Sequence, residues 1–334
     1  MSAARKNSRI VSGMRPTGRL HMGHYHGVLE NWLRLQEDND CYFFVADWHA
    51  LTTGYADTGG IRDNITEMVI DWLSVGIDPA RSVIFRQSGI KEHAELFVLL
   101  SMITPVSWLE RNPTYKEQMI ELKDKEIHTH GFLGYPVLQT ADIIIYGAGA
   151  VPVGIDQAPH IELAREIVRR FNFLYGDTFL EPETLMTSSP KMLGTDGRKM
   201  SKSYDNSVYL SDPPEVIDKK IRTMVTDTAR QRKTDAGNPD ICPVFITMHT
   251  LYSDEETKDW VREGCTTATI GCIECKKKVI PKVLERLEPF GRRRRELEKD
   301  RGAITGMLEE NTDKARLVAG ATMERVRRAM GLAG

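Results

Sequence analysis

The chain is organised around the stretch Gly13-Met-Arg-Pro-Thr-Gly-Arg-Leu-His-Met-Gly-His24. The apolar run before it, Arg9-Ile-Val-Ser12, predicts a short buried strand. Apolar side chains after it recur at the spacing of a helix: Tyr25, Val28, Leu29, Trp32 and Leu33. The stretch therefore lies where a strand turns into a helix, and the N–H groups at such a junction favour anions. Its two histidines, His21 and His24, suit a phosphate whose charge grows during a reaction.

A second candidate for phosphate binding lies far downstream, in Gly197-Arg-Lys-Met-Ser-Lys-Ser203. Basic loops are often only solvated, but this one is suited to close over the same phosphates. Together the two stretches resemble the HIGH and KMSKS signatures of class I aminoacyl-tRNA synthetases. The signatures are present here as His21-Met-Gly-His24 and Lys199-Met-Ser-Lys-Ser203, and their order and separation also match.

Length and composition are those of a globular protein. A chain of 334 residues predicts about two domains, and 41% hydrophobic with 28% charged residues is ordinary for such proteins. The net charge of −2 means that a nucleic acid must be held by local basic patches. No apolar run approaches a membrane span, and the N-terminus lacks the apolar core of a signal peptide. We therefore expect a cytoplasmic protein with no membrane partner.

Apolar runs alternate with amphipathic helical patterns through the first part of the chain. Further strands are predicted at Cys41–Asp47, Ser82–Ser88 and Ala150–Val153. This alternation favours an α/β fold with a doubly wound, parallel, Rossmann-like sheet. Ligands of such sheets bind at the carboxyl ends of the strands, where Gly13–His24 falls.

The sequence divides into three parts. Residues 1–8 are predicted to be a disordered lead-in. Residues 9–210 form the Rossmann-like domain, which includes the Lys199–Ser203 loop and a polar insertion at residues 105–130. Strand-like runs disappear after Ser203, so residues 211–334 are predicted to be a helical domain. The resemblance implies that the first domain is catalytic and that the second binds the anticodon.

A candidate amino-acid pocket lies around Asp142. This carboxylate stands between apolar neighbours, where it is costly unless it is paired or used. Tyr135 and Gln139 share its face at helical spacing. An apolar slot with one acceptor suits an indole, which has a single N–H donor. A slot built around a polar contact also rejects analogues that lack the matching group.

These residues sharpen the resemblance to the tryptophanyl-tRNA synthetase family, over nearly the whole chain. Tyr135-Pro-Val-Leu-Gln-Thr-Ala-Asp142 is similar to the family segment whose aspartate binds the indole nitrogen. Gly154-Ile-Asp-Gln157, followed by His160-Ile-Glu162, is similar to the family's GEDQ and HIE. In the family, this aspartate and the adjoining backbone serve the adenosine, and the glutamine meets the ammonium group. Ile155 departs from the usual glutamate, and we expect that only its backbone is used.

The resemblance implies a set of site residues. Asp47-Trp-His-Ala50 matches the family and places His49 beside the amino acid, whereas Gln139 and Arg15 stand where many relatives carry methionine and glutamine. The tryptophan site implied is Tyr135, Gln139, Asp142, Gln157 and His49. The ATP site implied is Arg15, Pro16, Thr17, Gly23, His24, Gly154, Ile155, Asp156, Lys199, Met200, Ser201, Lys202 and Ser203. Lys116 is a further candidate for phosphate binding.

The implied reaction has two steps. The tryptophan carboxylate attacks the α-phosphorus of ATP and gives tryptophanyl-adenylate, and pyrophosphate leaves with its charge neutralised by Mg²⁺. His21 and His24 serve the α-phosphate, and Lys199 and Lys202 follow the pyrophosphate. The 2′-hydroxyl of the 3′ adenosine of tRNA(Trp) then accepts the tryptophan. The resemblance also implies a homodimer.

Four cysteines stand in the helical part with the spacing C-x22-C-x6-C-x2-C: Cys242, Cys265, Cys272 and Cys275. Four thiolates bind either zinc or an iron–sulfur cluster, and spacing alone does not choose between them. The segment Glu263–Lys276 resembles a subset of bacterial tryptophanyl-tRNA synthetases. That resemblance implies a [4Fe-4S] cluster beside the anticodon-binding surface, with Zn²⁺ as the alternative. Cys41 lies in a predicted strand and is expected to be core.

The remaining features concern tRNA and packing. The basic runs Lys276–Lys278 and Arg292–Arg295 are either solvated faces or contacts to tRNA phosphates. The last helix is expected to pack against the body of the protein through Ala315, Val318, Met323, Val326 and Met330.

Three other functions are weighed against a tryptophan–tRNA ligase. A tyrosyl-tRNA synthetase shares the architecture but not the Tyr135–Asp142 segment or the cysteines. A HIGH-type nucleotidyltransferase needs no helical domain. An RNA-binding iron–sulfur sensor would not need both signature motifs intact.

Overall fold

The computed structural model describes residues 8–121, 127–187 and 192–333, without the side chains of Gln118, Glu121 and Asp156. Of the predicted lead-in, only Ser8 lies within these ranges. The described residues form a five-stranded parallel sheet in the order β3-β2-β1-β4-β5. Its strands are β1 (Arg9–Met14), β2 (Asp40–Val45), β3 (Ser82–Arg86), β4 (Ala150–Val153) and β5 (Glu183–Met186). The doubly wound parallel sheet is therefore confirmed.

The central strand β1 determines where a ligand can bind. It pairs in parallel with β2 on one side, where Gly13 stands opposite Phe44, and with β4 on the other. The strand order reverses between β1 and β4, and parallel sheets open a crevice at such a reversal. The loops that follow both strands leave from the same edge of the sheet.

The helices cover both faces of the sheet and form all the regular structure after residue 213. The first group is α1 (Met22–His24), α2 (Glu30–Asp38), α3 (Asp47–Gly54), α4 (Ile61–Val75), α5 (Glu92–Ser101), α6 (Val106–Arg111), α7 (Pro113–Glu121), α8 (His130–Ile144) and α9 (Ala158–Tyr175). The second group is α10 (Pro214–Thr223), α11 (Thr250–Tyr252), α12 (Glu255–Thr266), α13 (Cys272–Leu297) and α14 (Arg301–Ala329). Among these described helices, none is long and apolar enough to cross a bilayer.

The strand and insertion predictions differ from the structure at several places. Strand β1 extends to Met14, beyond the predicted Ser12, and β3 ends at Arg86 rather than at Ser88. β2 ends at Val45, because the backbone leaves the extended conformation at Ala46 and Asp47 begins α3. The carboxylate of Asp47 accepts the N–H of Ser88 at 3.0 Å. The predicted insertion at 105–130 contains helices α6 and α7, and its residues 122–126 lie outside the described ranges. Strand β5 was not predicted.

Two apolar cores lie against the sheet, and both include residues from each side of the predicted boundary at 210. One joins Trp32 and Trp72 to Val279 and Val283 of α13. The other includes β3 residue Phe85 and, from α14, Ala315, Ala319, Met323 and Val326. The packing predicted for the last helix is therefore confirmed, and Val318 and Met330 are partly buried beside it. The division into two domains stays a prediction.

Candidate active site

A cavity of about 570 Å³ opens at the carboxyl ends of β1 and β4. It is lined by apolar side chains from the sheet and from α8, including Phe44, Phe132 and Ile143. It is also lined by a large part of the predicted site: Arg15, His49, Tyr135, Gln139, Asp142, Gly154 and Gln157. Residues that are far apart in the sequence are therefore brought together, whereas His21, His24, Lys199 and Lys202 are not among the residues that line this cavity.

The two signature histidines are held by the start of their own helix. His21 caps α1, where its Nδ1 accepts the N–H of Gly23 at 3.1 Å. Nδ1 of His24 accepts the N–H of His21 at 3.3 Å, and the two ring centres are 3.8 Å apart. Because Nδ1 of each ring is an acceptor, the proton of each neutral ring is on Nε2. Each histidine therefore has an Nε2–H that can donate to a phosphate.

Burial keeps these histidines neutral. Burial and the nearby ammonium group of Lys202 lower the pKa of His21 to about 4. Burial, His21 and Lys202 also lower the pKa of His24 well below its usual value. At pH 7 both rings are therefore hydrogen-bond donors rather than cations.

The second signature loop contacts the first directly. Nζ of Lys202 donates to the carbonyl oxygen of Thr17 at 2.6 Å and to its hydroxyl at 3.1 Å. Gly18, the next residue, has a φ of +85°, which a side chain would strain. Burial lowers the pKa of Lys202 to about 8, although Asp71 partly opposes this shift. Lys199 is exposed.

One amide side chain shapes the Lys199–Ser203 loop. Asn206 accepts the N–H of Ser201 at 2.8 Å and donates to the carbonyl oxygen of Lys199 at 3.1 Å. Met200 is buried in the core, and its N–H donates to Met192 at 2.9 Å. The side chain of Met200 therefore anchors the loop, and the hydroxyls of Ser201 and Ser203 pair at 2.8 Å.

Asp142 is fully buried, and protein donors occupy its whole carboxylate. Oδ1 accepts from Gln87 Nε2 at 2.9 Å and from His93 Nδ1 at 2.5 Å. Oδ2 accepts from Gln87 Nε2 at 2.8 Å and from His49 Nε2 at 2.8 Å. Burial raises the pKa of Asp142, but hydrogen bonds from His49 and His93 outweigh it and leave the pKa at about 2. The carboxylate is therefore ionised at pH 7, and its four acceptor positions are filled.

Sequence reasoning missed Gln87 and His93. Gln87 directly follows β3, so its position at the carboxyl end of a neighbouring strand was an available signal. The backbone N–H of Trp48 orients its amide by donating to Oε1 at 3.1 Å. His93 lies in α5, and its Nε2 meets the hydroxyl of Tyr146 at 2.6 Å. No sequence pattern distinguished His93.

The remaining predicted residues lie beside the cavity or away from it. Tyr135 meets His160 Nε2 at 2.9 Å, and Asn112 contacts the other nitrogen of that buried histidine at 3.1 Å. The side chain of Ile155 is 80% exposed and does not line the cavity. The predicted role of Asp156 falls on a side chain outside the described part of the structure. Lys116 is exposed on α7.

The four cysteines of the helical part are free thiols. Cys242 is buried, and the other three are half-buried. Burial raises the pKa of Cys275 to about 12, and the other three thiols add to this rise. His249 Nε2 lies 3.2 Å from the sulfur of Cys275, and Arg230 lies 3.6 Å from that of Cys265. Across residues 8–121, 127–187 and 192–333, no three His, Cys, Asp or Glu side chains are placed to hold a metal ion.

Two members of the basic runs point inward. Lys276 is 5% exposed, and its ammonium group donates to the carbonyl oxygens of Arg222 and Met224 at 2.8 and 2.5 Å. Arg294 is 2% exposed and pairs with the carboxylate of Asp71. For these two side chains both predicted alternatives, a solvated face and a contact with tRNA phosphates, are wrong. Lys277, Lys278, Arg292, Arg293 and Arg295 are exposed.

Comparison with known proteins gives the family. Residues 3–288 match the model of "tRNA synthetases class I (W and Y)". The tryptophan–tRNA ligase of Thermotoga maritima is 54% identical over 97% of this chain and 99% of its own length. That of Aquifex aeolicus is 48% identical over 97% of this chain and 100% of its own length. This chain belongs to the tryptophan–tRNA ligase family.

Solved structures agree with this family and with the class I fold. Tryptophanyl-tRNA synthetase from Campylobacter jejuni, complexed with ADP and tryptophan, has a TM-score of 0.85 and 31% identity, over 97% of this chain and 100% of its own. A tyrosyl-tRNA synthetase from Archaeoglobus fulgidus has a TM-score of 0.66 at 22% identity, covering 87% of this chain and 91% of its own, so it shares the fold alone. The family and fold class predicted from the sequence are confirmed.

Proposed function

We propose that this chain is a tryptophan–tRNA ligase. It activates L-tryptophan with ATP to tryptophanyl-adenylate and pyrophosphate, and then transfers the tryptophan to the 3′ adenosine of tRNA(Trp). The observation that carries this proposal is the 54% identity, over nearly the full length of both chains, to a protein named for that activity.

Asp142 is proposed to recognise the indole N–H. Its carboxylate has no vacant acceptor position, so an indole must replace one of its present donors. His49 is the donor that lines the cavity, whereas Gln87 and His93 do not line it. The indole N–H therefore takes the place of the His49 N–H. Gln87 and His93 keep the carboxylate ionised and fixed, which makes the site selective for a side chain with a donor.

Tyr135, Gln139 and Gln157 are proposed to complete the tryptophan site. All three line the cavity around Asp142. The hydrogen bond from His160 fixes the hydroxyl of Tyr135 at one side of it. Gln157 follows the end of β4 and is proposed to meet the ammonium group of tryptophan.

Adenylate formation is proposed to depend on the two contacting signature loops. The Nε2–H groups of His21 and His24 donate to the α-phosphate as its charge grows, which stabilises the transition state more than the ground state. Lys202 and Lys199 attract the departing pyrophosphate. The backbone of the loop contributes further contacts to ATP from Met200, Ser201 and Ser203.

The start of the first loop and the turn after β4 are proposed to bind the rest of ATP. Arg15 and Gly154 line the cavity. Pro16 and Thr17 continue the first loop to the contact with Lys202, and Gly23 lies at the start of α1. Ile155 and Asp156 follow Gly154 in a short 3-10 helix after β4.

Magnesium is proposed to arrive with ATP. Mg²⁺ usually takes most of its ligands from substrate phosphates and water. The protein therefore need not supply an acidic cage of its own. When bound, the ion neutralises the leaving pyrophosphate.

ATP–pyrophosphate exchange on anaerobically purified protein, tested with each of the twenty amino acids, measures the proposed function. We expect exchange with tryptophan alone. Asp142→Ala should raise KM for tryptophan on the order of 100-fold, because a hydrogen bond to a buried charge is lost. The matched control is Asp40→Ala, which removes a carboxylate paired with Arg9 at the start of β2, outside the cavity, and for which we expect little change. Exchange with tyrosine instead contradicts the pocket, and exchange with no amino acid favours an RNA-binding sensor.

The pH dependence of exchange should report Lys202. Its pKa is lowered to about 8, so the side chain loses its positive charge as the pH rises through that value. We therefore expect kcat/KM for ATP to fall above about pH 8. Lys202→Arg keeps the charge at higher pH and should remove this alkaline decline, whereas Lys220→Arg, next to the loop, should retain it. An unchanged decline in Lys202→Arg contradicts the role given to Lys202.

We also propose that the four cysteines hold a [4Fe-4S] cluster, with Zn²⁺ as the alternative. Zinc draws its thiolates to within about 4 Å of one another, since each Zn–S bond is about 2.3 Å. A [4Fe-4S] cluster is larger than a single zinc ion, so its four cysteine sulfurs can be farther apart. Hydrogen bonds to the ligating sulfurs tune such clusters, and His249 and Arg230 are placed to supply them. A Cβ on Gly237 would lie 2.6 Å from the sulfur of Cys265, so glycine is required there. The cluster's role is structural.

Metal analysis of anaerobically purified protein tests this site. We expect about four iron and four sulfide per chain, as in a [4Fe-4S] cluster. Cys275→Ser should lose the iron, whereas Cys41→Ser, which changes a buried thiol in strand β2, should retain it. One zinc per chain supports the alternative. A preparation that contains neither iron nor zinc contradicts the proposed site.

A homodimer and a cytoplasmic location complete the proposal. Three exposed apolar side chains on and between α5 and α6 support the homodimer: Val98, Met102 and Val106. Binding of the tRNA anticodon by the helical part rests on the family resemblance and on its exposed basic residues.

A further inference from the structure

A second buried carboxylate lies behind the signature loop. Asp71 in α4 has no exposed surface and is surrounded by the first apolar core. Its Oδ2 accepts the N–H of Leu20 at 2.6 Å. Burial raises the pKa of Asp71 to about 6, although Arg294 and the Leu20 N–H oppose the rise. Burial of a carboxylate in an apolar core costs free energy of folding unless the carboxylate is paired and hydrogen-bonded.

The Leu20 contact fixes the backbone from which His21 projects. Leu20 directly precedes His21, and its carbonyl oxygen accepts the N–H of Leu210 at 3.0 Å. The N–H of Met22, on the other side of His21, donates to Val208 at 2.9 Å. Asp71 therefore adds a buried contact to the Arg19–Leu20 peptide, directly before the Leu20–His21 peptide whose carbonyl oxygen Leu210 holds.

Arg294 holds Asp71 in turn. Its guanidinium donates to Oδ1 of Asp71 and pairs with the carboxylate of Glu67, and it meets Glu298 at 3.0 Å. Glu67 also binds Arg19, in the signature loop, at 2.9 Å. A planar guanidinium serves several carboxylates at fixed angles, which an ammonium group cannot do.

The partners of this pair come from separate parts of the chain. Asp71 and Glu67 belong to α4, and Arg19 to the loop before α1. Arg294 lies near the end of α13, the rigid helix whose first turns carry Cys272 and Cys275. The pair therefore connects the helical part to the backbone of His21 through side chains that are closed to solvent.

We propose that Asp71 and Arg294 are positioning residues for adenylate formation, and that they couple the placement of α13 to that of His21. This inference rests on the proposed ligase activity. It assigns to Arg294 a role in the first step of the reaction, which needs no tRNA. A displacement of about 1 Å of a group in the site costs on the order of 100-fold in rate.

The test is ATP–pyrophosphate exchange by Arg294→Lys, without tRNA. A lysine keeps the charge but releases the fixed geometry, so we expect kcat to fall at least tenfold and KM for tryptophan to change less than twofold. The matched control is Arg327→Lys, which changes another arginine that joins the helical part to the body, through Glu95 of α5 at 2.5 Å. Its kcat should stay within twofold of the parent.

If Arg294→Lys folds and its kcat is unchanged, the inference is overturned. The same holds if kcat is unchanged while KM for tRNA rises or the melting temperature falls. If that variant does not fold, the double variant Asp71→Leu with Arg294→Met replaces the buried pair by apolar groups, an exchange that often preserves stability. It should fold and lose at least tenfold in kcat, and a parental kcat overturns the inference. If the parent protein itself shows no exchange with tryptophan, the proposed function is wrong, and the role of Arg294 is not what has failed.

Discussion

Parallel pairing of β1 with β2 on one side and β4 on the other is the constraint on which the site depends. It makes the loops after Met14 and Val153 leave from one edge of the sheet, with the cavity between them. Helix α8 contributes Asp142 to the lining of this cavity, and the first loop leads from the end of β1 to His21 at the start of α1.

Two buried carboxylates, Asp142 and Asp71, are fixed in the same way. Asp142 is held by three side chains, and Asp71 by a guanidinium and a backbone N–H. Each arrangement keeps a carboxylate fixed in an apolar core, where one unpaired contact would cost several kcal/mol. We infer that Asp142 recognises the substrate and that Asp71 positions the loop that carries His21.

Much of the fold and of the candidate site could be predicted from the sequence, because apolar runs indicate buried strands and the two signature motifs indicate the loops. Strand β5 (Glu183–Met186) escaped because it is short, polar and only half-buried, and therefore carries no run. His93 escaped because its function arises from tertiary contacts alone. Lys276 and Arg294 were misjudged as parts of charge runs, although both fall at helical spacing with Val283 and Leu287 on the buried face of α13. Periodicity was the better guide to their direction.

The most direct test of the account is a crystal structure of the chain with L-tryptophan bound, because it shows which donor the indole replaces. We expect the indole nitrogen within about 3 Å of Oδ2 of Asp142, the ordinary distance for such a bond. His49 should have withdrawn, while Gln87 and His93 keep their contacts. An indole bound elsewhere, with His49 still bonded to Asp142, would contradict the account.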